Sequence, residues 1–164
     1  MDLGFADATA VIAGGSRGIG LATALCLAEQ GARVGVVGRN EAPLAEAAKS
    51  LAAAGSPDVL TLAADLTSAS DVDAVFATVG ARWGALNVLV NAAGPAGAGR
   101  FEDLGDTQWT AALDQGVLSA VRCVRGFAAA AGRGVGPGGE LDGDVGTAPV
   151  AGLGGLYRGQ ERAT

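Results

Sequence analysis

The chain has no histidine, and its single lysine, Lys49, stands in the first third of its length. A histidine general base, a histidine metal site and a lysine nucleophile beyond position 49 are thereby excluded. Only two cysteines occur, Cys26 and Cys123. They are far apart, show no metal-ligand spacing, and each falls on a segment of helical period. They read as buried free thiols in a reducing cytoplasm, and no metal site is expected. Aromatic residues are scarce, and the sole tyrosine is Tyr157. No apolar run reaches membrane-spanning length without a charge or a glycine, and no basic stretch precedes an apolar one at the N-terminus. Neither a signal peptide nor a membrane helix is expected. The net charge of −6 argues against nucleic acid as a partner.

What is present is apolar. Hydrophobic residues make up 49% of the 164, enough for one domain with a parallel sheet buried on both faces. The stretch that organises the rest is Val11-Ile12-Ala13-Gly14-Gly15-Ser16-Arg17-Gly18-Ile19-Gly20. An apolar run ends in a glycine-rich turn, and a segment of helical character follows at once. Strand, glycines and helix in that order suit a nucleotide phosphate. Glycines let the backbone approach a pyrophosphate closely, and the helix start offers unpaired N–H groups and a positive dipole end.

The chain in order predicts alternating strands and helices. Strands are expected at 8–13, 33–37, 59–63 and 86–90. The first helix, 18–30, is apolar nearly all round. Leu21, Ala24, Leu25 and Ala28 form one stripe and Ile19, Ala22 and Cys26 a second, as in a helix wedged between two layers. Asn40 is placed to cap the second helix, which carries Leu44, Ala48, Leu51 and Ala52. Val72, Val75, Phe76, Val79 and Trp83 give the third a clean stripe. Trp109, Ala112, Leu113, Gly116, Ala120, Val121 and Val124 mark one long amphipathic helix over 107–125. Alternation at this interval means βαβ units and a parallel sheet. After about Arg125 the pattern stops. Twelve of the 28 glycines fall in residues 126–164, which read as an irregular tail.

With the glycine turn, Asp65-Leu66 and Asn91-Ala92-Ala93-Gly94 in sequence, residues 1 to about 125 resemble the cofactor-binding half of the short-chain dehydrogenase/reductase family. The resemblance implies an α/β fold, a Rossmann-like doubly wound parallel sheet, here truncated after its fourth strand and following helix. It implies a nicotinamide cofactor with Gly14, Gly18 and Gly20 forming the phosphate turn, and with Ser16, Arg17 and Ile19 in contact. Asp65 would hydrogen-bond the adenine beside Leu66, and Asn91, Ala92 and Gly94 would line the cofactor. It also implies a small alcohol or carbonyl substrate and a homo-oligomeric parent. Enzymes that use NAD usually carry an acidic residue at the end of the second strand, whereas this one reads Val37-Gly38-Arg39-Asn40. A guanidinium matches phosphate geometry, so Arg39, helped by Arg17, favours NADP(H) over NAD(H). Arg39 as a plain solvated loop residue is the alternative.

Departures from the family pattern are as informative. Ala13 precedes the first glycine where threonine is common, Ala92 replaces the second asparagine, and Gly116 falls where the family places a helix asparagine. The family's proton chemistry uses Tyr-x-x-x-Lys with a serine. Here Tyr157 is followed four residues later by Glu161, a carboxylate that would raise rather than lower a tyrosine pKa. No catalytic residue is therefore assigned. The codon frame that joins the last two bases of each codon to the first base of the next permits W-G-R and Y-T-A-A-K within 126–164. The tail thus reads as out-of-frame translation, with a natural glycine-rich tail as the alternative. Without further strands, the fourth would be an open apolar edge prone to aggregation. Two functions remain: an oxidoreductase transferring hydride between NADP(H) and an alcohol or carbonyl, or a non-catalytic NADP-binding fragment or pseudoenzyme. Another nucleotide-binding fold, such as a methyltransferase, leaves Asn91–Gly94 without a role.

Overall fold

The computed structural model describes residues 4–95 and 100–131, together with the backbone of 156–158. Thr9–Ala13 form β1, and all five residues are buried, as a strand covered on both faces requires. The turn at Gly14 leads into α1 (Gly18–Glu29), which ends before Gly31 at φ +82°. Then come β2 (Arg33–Gly38), α2 (Glu41–Ala53), β3 (Val59–Ala63), α3 (Ala69–Trp83) and β4 (Val88–Asn91). These four strands are parallel in the order β3-β2-β1-β4, with β1 paired on both sides.

Side-chain alternation along the strands divides the core in two. Ile12, Val34, Val36 and Val88 face α1 and α2, where they meet Ala24, Leu27 and Leu44. Val11, Val37 and Leu89 face α3 and the last helix, where they meet Val72, Phe76 and Phe127. Helices thus cover both faces of a Rossmann-like sheet, as the alternation predicts.

Helix α1 departs from its predicted setting. Its first stripe is covered, but Ile19 is 84% exposed and Cys26 is also on the surface. The sheet and α2 cover one side of the helix only, so the expected second layer does not form among the described residues. Asn40 occupies the cap position of α2 without making a side-chain cap bond. Cys123 is buried as expected, and desolvation pushes its thiol up to about 11.

The predicted helix over 107–125 is two helices. α4 (Asp106–Leu113) continues through a π-helical turn, Asp114–Leu118, into α5 (Ser119–Ala131). Of the predicted stripe only Gly116 is buried. Trp109, Leu113, Val121 and Val124 are exposed, whereas Gly116, Ser119, Cys123, Phe127 and Ala130 are covered. Gly126 explains the choice of face. Its backbone lies against the Phe76 ring so closely that a Cβ there would overlap it, which draws α5 onto α3 through its small-residue side. The helix accordingly runs six residues past Arg125, and Phe127 is 1% exposed.

The β4 edge also differs from its expected open state. Leu156–Arg158 form β5, antiparallel to β4, with Val88, Leu89 and Val90 opposite Arg158, Tyr157 and Leu156. The rest of the predicted tail from 132 lies outside the described residues.

Candidate functional site

In a parallel sheet the crevice for a ligand opens at the carboxyl ends of the strands, where the chain order reverses. Here that place is between β1 and β4. A cleft of about 450 Å³ lies there, bounded by the turns after all four parallel strands. Gly14, Ser16, Arg17, Gly18, Ile19 and Gly20 come from the first turn, Arg39 from the second, Asp65 and Leu66 from the third, and Ala92 and Gly94 from the fourth. Every predicted site residue except Asn91 lines this one space.

The turns are fixed by backbone bonds. The N–H groups of Gly14 and Gly15 both donate to the Val37 carbonyl, at 2.9 and 3.2 Å, and Ala92 N–H donates to the Ala13 carbonyl at 2.8 Å. Gly14 has φ +82°, and a Cβ on it would stand 2.7 Å from the Ala93 nitrogen. A Cβ on Gly20 would overlap the Gly14 carbonyl oxygen and come within 3.2 Å of the Ala92 Cβ. Ala92, a departure from the family pattern, is thus a small residue packed beside the glycine turn. The start of α1 carries no acidic residue and no side-chain cap, which leaves its first-turn N–H groups and dipole to face the cleft.

Charge in the cleft is of two signs. Arg17 and Arg39 are exposed, and neither belongs to an ion pair among the described residues. Asp65 lines the same cleft from the turn after β3, the strand next to β2. Its carboxyl is held below the usual range, chiefly by the Thr67 backbone N–H and hydroxyl, with a smaller contribution from the Arg39 charge. Asn91, at the end of β4, is level with Ala13 of β1. Its Oδ1 is buried and has no hydrogen-bond partner among the described residues. No group of three or more metal-ligating side chains occurs among the described residues.

The structure adds residues that sequence reasoning missed. Val37, Gly38, Ala64 and Thr67 are neighbours in the same turns, while Ala93 lies within the predicted Asn91–Gly94 stretch. Gln115 comes from the π-helical turn and Ser119 from the start of α5, with the Ser119 hydroxyl donating to the Gln115 carbonyl at 2.5 Å. A polar pair one turn apart on a helix gave no signal of its own. Of the proton-relay positions, Tyr157 is described by its backbone alone, and Glu161 lies outside the described residues.

A parallel sheet with helices on both faces and a glycine turn at its switch point defines a dinucleotide-binding fold of Rossmann type. The chain belongs to the short chain dehydrogenase family, whose model matches residues 8–136. It is 38% identical over 115 residues to the (5R,7aS)-5-hydroxy-7a-methyl-1-oxo-2,3,5,6,7,7a-hexahydro-1H-indene-carboxyl-CoA reductase of Mycobacterium tuberculosis, covering 70% of this chain and 44% of that protein. Its fold is similar to that of L-sorbose reductase from Gluconobacter frateurii complexed with NADPH and L-sorbose, with TM-score 0.74 and 37% identity, over 80% of this chain and 50% of that one. It is also similar to an NADH-dependent reductase complexed with NAD, with TM-score 0.69 and 29% identity, over 78% and 53% of the two chains. The chain spans less than half the length of the curated relatives it matches.

Proposed function

We propose that this chain carries the cofactor half of an NADP(H)-dependent short-chain dehydrogenase/reductase, whose intact parent interconverts a small alcohol and its carbonyl. The observation that carries the reading is the tight glycine turn lining the cleft, where Gly14 at φ +82° and Gly20 against the Gly14 carbonyl admit no Cβ and seat the start of α1 directly on the turn. Such a surface suits a pyrophosphate approaching the first turn of α1. Two guanidinium groups in the cleft lining, in no ion pair among the described residues, fit the same ligand. When bound, the nicotinamide supplies or accepts the hydride. Arg39 and Arg17 hold a 2′-phosphate, Asp65 accepts from the adenine amine, and Asn91, Ala92 and Gly94 flank the cofactor at the end of β4. The reductase neighbour complexed with NADPH supports the same choice of cofactor, while the one complexed with NAD keeps the two nucleotides to be separated by titration.

For these 164 residues as written, we propose binding without turnover. Tyr157 is followed at the fourth place by Glu161, and no lysine stands after Lys49. The cause we propose is out-of-frame translation of a family member's second half. Because α5 continues to Ala131 and the family match to residue 136, the break is to be sought among codons 124–137. If no single-base change there restores W-G-R and Y-x-x-x-K, the proposal fails.

The exposed face of α4 and α5 supports self-association of the parent. Trp109, Leu113, Val117, Val121 and Val124 lie on its surface, an apolar patch of a kind that single soluble domains seldom leave uncovered. Glu102, Asp103 and Asp106 precede this face and Arg125 stands near its end. A second copy crossing antiparallel therefore sets acid against base and opposes the helix dipoles. No helix among the described residues is long and apolar enough to cross a membrane. A cytoplasmic setting and the absence of nucleic-acid binding are proposed from the free thiols and the net charge.

The experiment that tests the main reading is fluorescence titration with NADPH and NADH, followed by a search for ketone-dependent oxidation. Tighter NADPH binding with no oxidation supports it.

A further inference from the structure

The turn between β3 and α3 is more heavily bonded than a connection of that length needs. Ala64 N–H donates to the Gly38 carbonyl at 3.0 Å, and Ser68 N–H to the Asp65 carbonyl at 2.9 Å. Asp65 N–H donates to Asp71 Oδ2 at 3.0 Å, while Asp71 Oδ1 accepts from the Ser68 hydroxyl at 2.8 Å. Backbone position at Asp65 is thus held from the β2 end, from α3 and from within the turn.

Its side chain is held as firmly, and from one side only. Thr67 N–H and the Thr67 hydroxyl both donate to Asp65 Oδ1, at 2.9 and 2.8 Å. Oδ2 accepts no hydrogen bond among the described residues, and Asp65 lines the cleft. A free aspartate on an exposed turn rotates and offers either oxygen. Two donors from one residue pin this carboxylate so that a single, defined oxygen is left for a ligand.

We propose that Thr67 is a positioning residue that makes Asp65 select a purine bearing an exocyclic amine. The proposal rests on the reading that the cleft holds an adenine dinucleotide. An ionised carboxylate is an acceptor only. The amino group at C6 of adenine meets Oδ2 with a donor. The carbonyl oxygen that hypoxanthine carries at C6 meets it with a second acceptor, leaving two lone pairs opposed. Asp71 contributes by holding the Asp65 backbone, and its own N–H donates to the Ser68 hydroxyl that caps α3. A purely structural role for Thr67 would leave base selectivity untouched, and that separates the two roles.

The test is fluorescence titration with NADPH and with its hypoxanthine analogue, for the full 164-residue chain and variants. Wild type is expected to bind NADPH about tenfold more tightly, the worth of one charge-assisted hydrogen bond at a partly wet site. Thr67→Val is expected to bring the ratio to about two or less, and Thr67→Ser, which keeps the hydroxyl, to preserve it. Asp65→Asn is expected to invert the preference, because Thr67 pins the amide oxygen and so aims the NH2 group at the C6 carbonyl. Asp65→Asn with Thr67→Val loses the inversion. A wild-type ratio near one with tight NADPH binding, or an equal loss for both nucleotides in Thr67→Val, overturns this assignment alone. Failure of wild type to bind either nucleotide overturns the cofactor reading and this proposal with it.

Discussion

Gly20 faces the Gly14 carbonyl oxygen across the glycine turn with no room for a Cβ between them. The start of α1 is therefore seated directly on backbone, and the seat is what shapes the cradle. Gly20→Ala is expected to lower stability by about 1–3 kcal/mol, as overpacking does, and to weaken NADPH binding at least tenfold. Gly80 is the control. It lies within α3 with nothing inside 4 Å of its Cβ position, so Gly80→Ala is expected to raise stability by about 0.5–1 kcal/mol. Thermal melts and nucleotide titration on the two variants check both.

Arg39 decides between cofactors. Replacing it with aspartate puts a carboxylate where a 2′-phosphate is proposed to lie and where NAD enzymes place an acid. Arg39→Asp is expected to weaken NADPH binding about 10–100-fold, the range for loss of a charge-assisted pair, with NADH binding unchanged or improved. Titration of the variant with both nucleotides reads the outcome. Equal weakening of the two would return Arg39 to the role of a solvated loop residue.

Asp58 ties the start of β3 to the end of α3. It accepts from Arg82 Nε and Nη2 at 3.0 and 3.1 Å and from the Trp83 indole N–H at 2.9 Å. The Arg82 bonds, then the Trp83 bond, hold its carboxyl below the usual range. A depressed carboxylate pKa contributes stability that is fully present above the unfolded value, near 3.9, and is lost as pH falls through the folded one. Asp58→Asn is expected to lower Tm at pH 7 by about 2–4 °C, and the gap between variant and wild type to close as pH falls below the unfolded value and through the folded one. Melting curves across pH 2.5–7 check the sign.

The outer face of α4 and α5 should govern association. Leu113 is 55% exposed at the centre of the apolar stripe. Leu113→Glu is expected to leave NADPH affinity within about twofold of wild type and to shift sedimentation toward monomer. Unchanged sedimentation would remove this face as the contact.

Much of the fold was legible because buried parallel strands and glycine turns write themselves locally. β1 is buried throughout, Gly14 takes φ +82° in its turn, and Gly20 stands against the Gly14 carbonyl within one strand-turn-helix unit. The face of α5 was not legible. Trp109, Leu113, Val121 and Val124 form the stronger apolar stripe, yet tertiary contact between Gly126 and Phe76 selects the other side. Cys26 went the same way, since the layer that would bury it does not form among the described residues. Gln115 and Ser119 reach the cleft only through a π-helical turn that no periodicity announces. Motif and strand end pointed to Asp65 and Arg39, which line the cleft, whereas the bonds from Thr67 to Asp65 are not legible in the sequence.

Titration of the full chain with NADPH and NADH, with cofactor oxidation followed in the same cuvette against a panel of ketones, tests the central claim most directly. Saturable binding that favours NADPH by tenfold or more, with no ketone-dependent loss of NADPH, is the predicted result. Turnover by these 164 residues would contradict it, and so would failure of both nucleotides to bind.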